Sequence, residues 1–179
     1  MSCFISSGLA LGCSDGIGGI KKIYIVGGAT GDVTGFTYNA TGAITGATSV
    51  SGTSIYGFEL KRNTSSLSQN VTKSFENGTI YFEQVLTAVF FKYDQDKRNQ
   101  VKILSQNDKI EIIAIDQNDV QYYLGQTNGM YLSGGSAATG TALGDRNGFE
   151  LIFSGQEPEP ARVIQGALAS VFAGATIVG

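Results

Sequence analysis

Between Ser54 and Phe91 the sequence alternates apolar and polar residues in three successive runs, a period of two that only strands satisfy, because neighbouring strand side chains point to opposite faces. In the first run Tyr56, Phe58 and Leu60 share one face and Ile55, Glu59 and Lys61 the other, which predicts a half-buried strand over Ser54–Arg62. The run Ser66–Phe75 repeats the pattern more weakly through Leu67, Gln69, Val71, Lys73 and Phe75. Asn77-Gly78 then supplies the dipeptide that favours a tight hairpin turn, and the long, aromatic run Thr79–Phe91 forms the returning strand.

The same reading extends along the chain. Ile20–Val26 alternates Ile23 and Ile25 against Lys22 and Tyr24, a strand. Residues 27–54, rich in Gly, Thr, Ser and Ala, suit short strands and loops rather than helix. Over Lys92–Ser105 the period changes: Tyr93, Lys97, Val101 and Leu104 fall on one helical stripe, and Asp94 or Asp96 can cap the first turn. Lys109–Ile115 and Val120–Leu124 form a hairpin around the polar turn Asp116-Gln117-Asn118-Asp119. A short strand near Met130–Ser133 and another over Asn147–Ser154, carrying Phe149, Leu151 and Phe153 on one face, follow.

Glu157-Pro158-Glu159-Pro160 interrupts this pattern, because proline removes a ladder donor and favours extended backbone before it. Beyond it, Val163–Gly179 carries no charge and is too short and too rich in Gly and Ala to cross a membrane as a helix. The expectation is a stiff spacer that lays a C-terminal arm, residues 161–179, onto another strand or a neighbouring subunit through Leu168, Val171, Phe172, Ile177 and Val178. In sum, about ten strands and one helix in one domain, residues 1–179, predict a mainly β fold: an antiparallel β-sandwich or barrel with one flanking α-helix at about residues 94–105.

Composition narrows the chemistry. The formal charge of −3 argues against a protein that grips nucleic acid by neutralising phosphates. There is no histidine, so the commonest metal ligand and the usual general base near neutral pH are missing. Cys3 and Cys13 are too few for a disulfide framework or a four-ligand zinc site, and read as two thiols or one local bridge. The segment before Cys13 lacks the basic region of a signal peptide, and the Asn-x-Ser/Thr triplets at Asn39, Asn63, Asn70 and Asn77 arise by chance in a chain rich in these residues.

Two sites invite a functional reading. Gly27-Gly28-Ala29-Thr30-Gly31-Asp32 after the first strand imitates a pyrophosphate cradle, but the β-like sequel Val33-Thr34-Gly35-Phe36 offers no helix N-terminus to hold the phosphate. The carboxylate pairs Asp94/Asp96, Asp116/Asp119 and Glu157/Glu159 have plainer roles as a helix cap, a turn and proline flanks. Neither serine-nucleophile nor phosphate-loop motifs occur, and the aromatic run Tyr81, Phe82, Phe90, Phe91, Tyr93, with Lys92 its one cation, lacks the repeated interleaving of Lys or Arg that marks a base-stacking platform and reads as a core and interface face. The expectation is no enzyme, cofactor or metal.

The segments Cys3…Gly8…Cys13 followed by Gly18-Gly19-Ile20-Lys21-Lys22-Ile23-Tyr24, and Gly144-Asp145-Arg146-Asn147-Gly148-Phe149-Glu150-Leu151 with Glu157-Pro158, resemble tail tube proteins of phages that infect Bacteroidetes and related bacteria. The resemblance implies the inner-tube fold of contractile injection systems and assembly into stacked six-membered rings, a conduit for DNA ejection. It places the chain in the virion tail after synthesis in the host cytoplasm. Its partners would be further copies of itself, the baseplate, tape-measure and terminator proteins, and DNA in transient passage, with no membrane. Low charge and abundant neutral surface suit repeated self-contact, and a lumen that lets DNA slide needs polar or acidic strands such as Ser54–Arg62 and Thr79–Phe91. An immunoglobulin-like decoration or carbohydrate-binding module of the virion is the alternative with the same β composition.

Overall fold

In the computed structural model, which describes residue 8 and residues 14–27, 33–49, 52–92 and 94–179, strands make up 53% of the chain and helices 9%, a mainly β protein of two sheets. Strand β1 (Ile20–Gly27) follows the Ile23/Ile25 alternation, and β2 (Val33–Tyr38) and β3 (Ile44–Ser49) occupy the small-residue stretch. Then come β4 (Ser54–Glu59), β5 (Ser66–Ser74), β6 (Thr79–Phe91), helix α1 (Gln95–Ser105), and the hairpin β7 (Ile112–Asp116) and β8 (Gln121–Leu124). The chain ends with β9 (Tyr131–Ala138), β10 (Gly148–Glu157), β11 (Arg162–Ile164), the single turn α2 (Leu168–Val171), β12 (Phe172–Ala173) and β13 (Thr176–Val178).

The large sheet runs β12-β3-β11-β8-β7-β1-β4-β13, with β2 paired to β3, and the small sheet runs β5-β6-β10-β9. The strands of the two sheets cross. Gln84 of β6 meets Gly125 at the end of β8 through a 3.1 Å hydrogen bond, whereas Phe90, farther along the same strand, packs edge-on against Phe58 of β4 with ring centroids 5.8 Å apart. The order β8-β7-β1-β4 is thus traversed along the length of β6, so β6 runs across the strands of the large sheet rather than in line with them.

Between the sheets lies one core, built from Ile23, Ile25, Ile112, Leu124, Leu86, Phe149, Leu151 and Phe153, with Val101 and Leu104 of α1 closing its flank. The opposite face of the large sheet is not solvated either. Tyr24, Val26, Ile55, Ile113 and Tyr123 point into a second core, roofed by β2, β3, β11, α2 and β12 as the sheet curls over itself. For this reason β4 is not the half-buried strand its alternation predicts: Ile55 fills the second core while Phe58 packs on the first.

Local sequence explains the punctuation. Asp94 is the cap of α1, its carboxylate accepting from the Lys97 amide at 2.9 Å, and this bond, with a second from the Lys97 side chain, holds the Asp94 carboxyl below its ordinary pKa. Asp96 lies inside the first turn instead. Tyr93, Cys3 and Cys13 lie outside the described residues. In the β7–β8 turn, Asp116 Oδ1 accepts from the amides of Asn118 and Val120, both at 2.8 Å, and Asp119 takes a left-handed φ of 64°. The β5–β6 turn spans four residues, Phe75 to Gly78, with Gly78 at φ 63°.

Strand β9 is longer than Met130–Ser133 because Gly134-Gly135 continues it rather than breaking it. A side chain at Gly135 would place its Cβ 2.7 Å from the Glu150 carbonyl oxygen, so glycine here permits close approach of backbones. Likewise β10 runs on to Glu157, and proline ends it only there.

Candidate assembly surfaces

The face of the small sheet turned away from the core is defined by register. On β6, Leu86, Ala88 and Phe90 point inward, so Thr79, Tyr81, Glu83, Val85 and Thr87 point out. Their β5 partners are Ser74, Thr72, Asn70, Ser68 and Ser66, and on the other side Glu83, Val85 and Thr87 face Gln156, Ser154 and Ile152 of β10. On β9 the face continues through Ser136 and Ser133, whose hydroxyl lies 2.8 Å from that of Ser154. None of these strand positions is Lys or Arg; Glu83 and Glu150 are the charged ones, and Glu150 is paired with Arg146 at 2.8 Å. Lys61, above the Phe91 ring, reaches the sheet from a loop at its far end.

Both margins of this sheet are open. β5 pairs only with β6 and β9 only with β10, and among the described residues no further backbone-to-backbone hydrogen bond reaches residues 66–74 or 131–138, the Ala161 amide touching β5 only through the Gln69 side chain at 2.8 Å. Because the four strands alternate in direction, β5 and β9 are antiparallel to each other.

The β5–β6 hairpin also overhangs. Pairing of β10 on β6 stops at Phe82, leaving Thr79, Ile80 and Tyr81 supported by β5 alone. Here the core side of the sheet has nothing beneath it: Val71 and Ile80 are exposed, Phe75 at the turn is 87% exposed, and the Lys73 ammonium sits 4.9 Å from the Phe75 ring centre. At the opposite end of the molecule a groove of about 630 Å³ runs between α1 and the β1-β4-β13 margin, lined by the exposed side chains of Tyr56, Ile103 and Val178 over Phe58 and Leu104.

The C-terminal segment lies in the chain's own large sheet. β11 pairs antiparallel with β8 and touches β3, β12 runs parallel to β3, and β13 runs parallel to β4. Of the five apolar anchors, Leu168, Val171 and Phe172 are buried in the second core, Ile177 packs against it, and Val178 alone is exposed, at 45%. Of the two destinations expected for the arm, the structure shows a strand of the same chain. The two strands expected to line a lumen lie in different sheets, and of the two only β6 belongs to the smooth outer face.

Three of the paired carboxylates, Glu157, Glu159 and Asp119, are engaged structurally. Glu157, buried, accepts from the amides of Thr127, Asn128 and Gly129 at 2.8–3.2 Å and fastens the β8–β9 turn to the end of β10. Glu159 pairs with Arg162, and Asp119 with Lys21. Glu157 and Glu159 border a cleft of about 380 Å³ near Tyr38 and Gln84, but Glu157 is taken up by three backbone amides and Glu159 by Arg162, so the two are not left as an acid and base. Residues 28–32 of the glycine turn lie outside the described residues, and the next element is the strand β2. Among the described residues no group of three or more Cys, Asp or Glu side chains could hold a metal ion, and no helix is long and apolar enough to cross a membrane.

No protein-family model, curated protein or solved structure matches this chain. The sequence carries a signal of the outer face in Ser66, Ser68, Asn70 and Thr72, which the reading of that run through Leu67 and Val71 passes over; it carries none of the groove, which needs Val178 brought beside Tyr56 by the parallel pairing of β13 with β4.

Proposed function

We propose that this chain is a structural subunit that self-assembles through the open margins of its small sheet into rings, which stack into the tail tube of a bacteriophage. The observation that carries the reading is the outer face of β5-β6-β10-β9: rich in hydroxyls, weakly acidic, free of Lys and Arg on its strands, and bounded by two unpaired edges.

Strand parity supports ring formation. With four strands in the sheet, β5 of one copy meets β9 of the next antiparallel, the same relation as every internal pair, so the sheet can continue from copy to copy. Six copies would close a barrel of about twenty-four strands, which at ~4.8 Å per strand has a backbone circumference of ~115 Å before strand tilt widens it. A lumen of that size admits a nucleic-acid duplex, and a wall whose strand positions carry no Lys or Arg, with Arg146 held by Glu150 and Lys61 confined to one end, offers its phosphates little grip. The resemblance noted at the two segments of sequence points the same way.

Light scattering behind size-exclusion chromatography, with negative-stain microscopy, tests this. The expected result is ring-sized particles and tubes that grow with concentration. A species that stays monomeric at high concentration overturns the proposal in favour of a decoration module.

A further inference from the structure

Among the described residues, six of the eleven exposed large apolar side chains fall in two clusters: Val71, Phe75 and Ile80 form the hairpin overhang, and Tyr56, Ile103 and Val178 line the α1 groove. Side chains of this kind gain free energy when water is removed from them, so two such clusters on a small protein mark contact sites.

The two clusters lie at opposite ends of the molecule. The overhang lies at the Thr79 end of β6, and the large sheet crosses β6 so that β4 comes level with Phe90 and β13 lies beyond it. Ten residues of β6 separate Ile80 from Phe90, about 33 Å at ~3.3 Å per residue. The overhang therefore cannot fold back into its own groove, but a copy translated along the strand axis brings one to the other. Such a translation leaves the lateral margins of β5 and β9 free.

We infer that the β5–β6 overhang of one copy seats in the α1 groove of the next copy along the strand axis, so that this contact stacks one ring upon another. The inference rests on the reading of the chain as a polymerising subunit. A second copy, rather than another protein, fits because one chain carries both halves at its two ends, the arrangement that yields an open head-to-tail stack. Charge agrees: Lys73 on the overhang has no carboxylate partner, and Asp96, beside the inner part of the groove, has no cationic partner among the described residues. Phe75, with Val71 and Ile80 behind it, is the anchor, and Tyr56, Ile103 and Val178 are the walls that receive it.

The test uses the full chain with the paired substitutions Phe75→Asp and Ile80→Asp on the overhang, or Ile103→Asp in the groove. All three positions are exposed, so melting should be unchanged. Each variant should give ring-sized particles but no tubes, and preformed rings of the two kinds, mixed, should join in pairs and stop. Tubes of ordinary length from either variant overturn the contact while leaving the polymer reading intact; a wild-type protein that stays monomeric overturns both. As a second readout, Phe75→Cys with Ile103→Cys in a Cys3→Ser, Cys13→Ser background should oxidise to a ladder of disulfide-linked oligomers that neither single cysteine gives. Tubes that assemble without a ladder overturn the contact independently of any effect on folding.

Discussion

The Tyr123 hydroxyl donates to Glu111 Oε2 at 2.8 Å, both residues buried, joining the residue that enters β7 to the strand beside it. Burial first, and the Glu111 charge second, push the Tyr123 hydroxyl well above its ordinary pKa of about 10. A proton that the folded state holds more tightly than the unfolded state stabilises the fold below the unfolded pKa, and that contribution is lost as pH rises toward the folded one. Stability to denaturant should therefore be flat through neutral pH and fall above about pH 10. Tyr123→Phe should cost about 1–3 kcal/mol at neutral pH by removing the Tyr123 hydrogen bond from a buried carboxylate. It should also flatten the alkaline fall, which urea titrations at stepped pH will measure. An alkaline slope that survives the substitution undiminished would assign the effect elsewhere, with Tyr122, raised more modestly by burial and Asp116, the next group to replace.

The C-terminal segment should behave as core. Phe172 is fully buried and stacks on Tyr123 with centroids 5.9 Å apart, so Phe172→Ala should cost about 3–5 kcal/mol. Removing residues 164–179 deletes a roof of the second core and should yield a chain that fails to fold cooperatively, visible as loss of the thermal transition. Val178→Asp, at the exposed end of the same segment, should leave the transition in place. A well-folded truncated protein would show that this segment is dispensable for the fold.

The outer face of the small sheet should tolerate added cations but not without consequence. Ser68→Lys together with Val85→Lys, neighbours across β5 and β6 on that face, should leave melting nearly unchanged, since surface substitutions of this kind stay within about 0.5 kcal/mol. Co-sedimentation of assembled wild-type protein with duplex DNA should show little binding, and the double variant should bind in a salt-sensitive way. Tight, salt-sensitive binding by the wild type would contradict a wall built for free passage.

Much of this fold is legible in sequence wherever a period of two runs against a turn residue. Ile23 and Ile25, the Asp116–Asp119 turn and the aromatic run to Phe91 each locate an element within a residue or two. What sequence conceals follows from tertiary context. Glycine reads as a break, yet Gly134-Gly135 lies inside β9, where β10 comes too close to Gly135 for a side chain. An uncharged tail reads as an arm seeking another surface, yet Leu168, Val171 and Phe172 serve a sheet buried on both faces, which demands apolar residues without alternation. The smooth face could be anticipated from Ser66, Ser68, Asn70 and Thr72. The groove could not, because Ile103 lies off the α1 stripe and meets Val178 only after β13 has docked beside β4.

The two open margins of the small sheet set a kinetic problem for an isolated subunit. Strand β5 has nine residues with neither proline nor bulge, and Lys73 is its one charge, so little guards it against the wrong neighbour. β9 is interrupted by a register shift opposite Ile152 and Phe153, which makes it the more selective of the two. Closure into a ring removes both margins at once, whereas open-ended addition always leaves a pair exposed. A chain of this design does best when subunits are scarce until a template fixes the first ring, because at high concentration free edges find each other faster than circles can close.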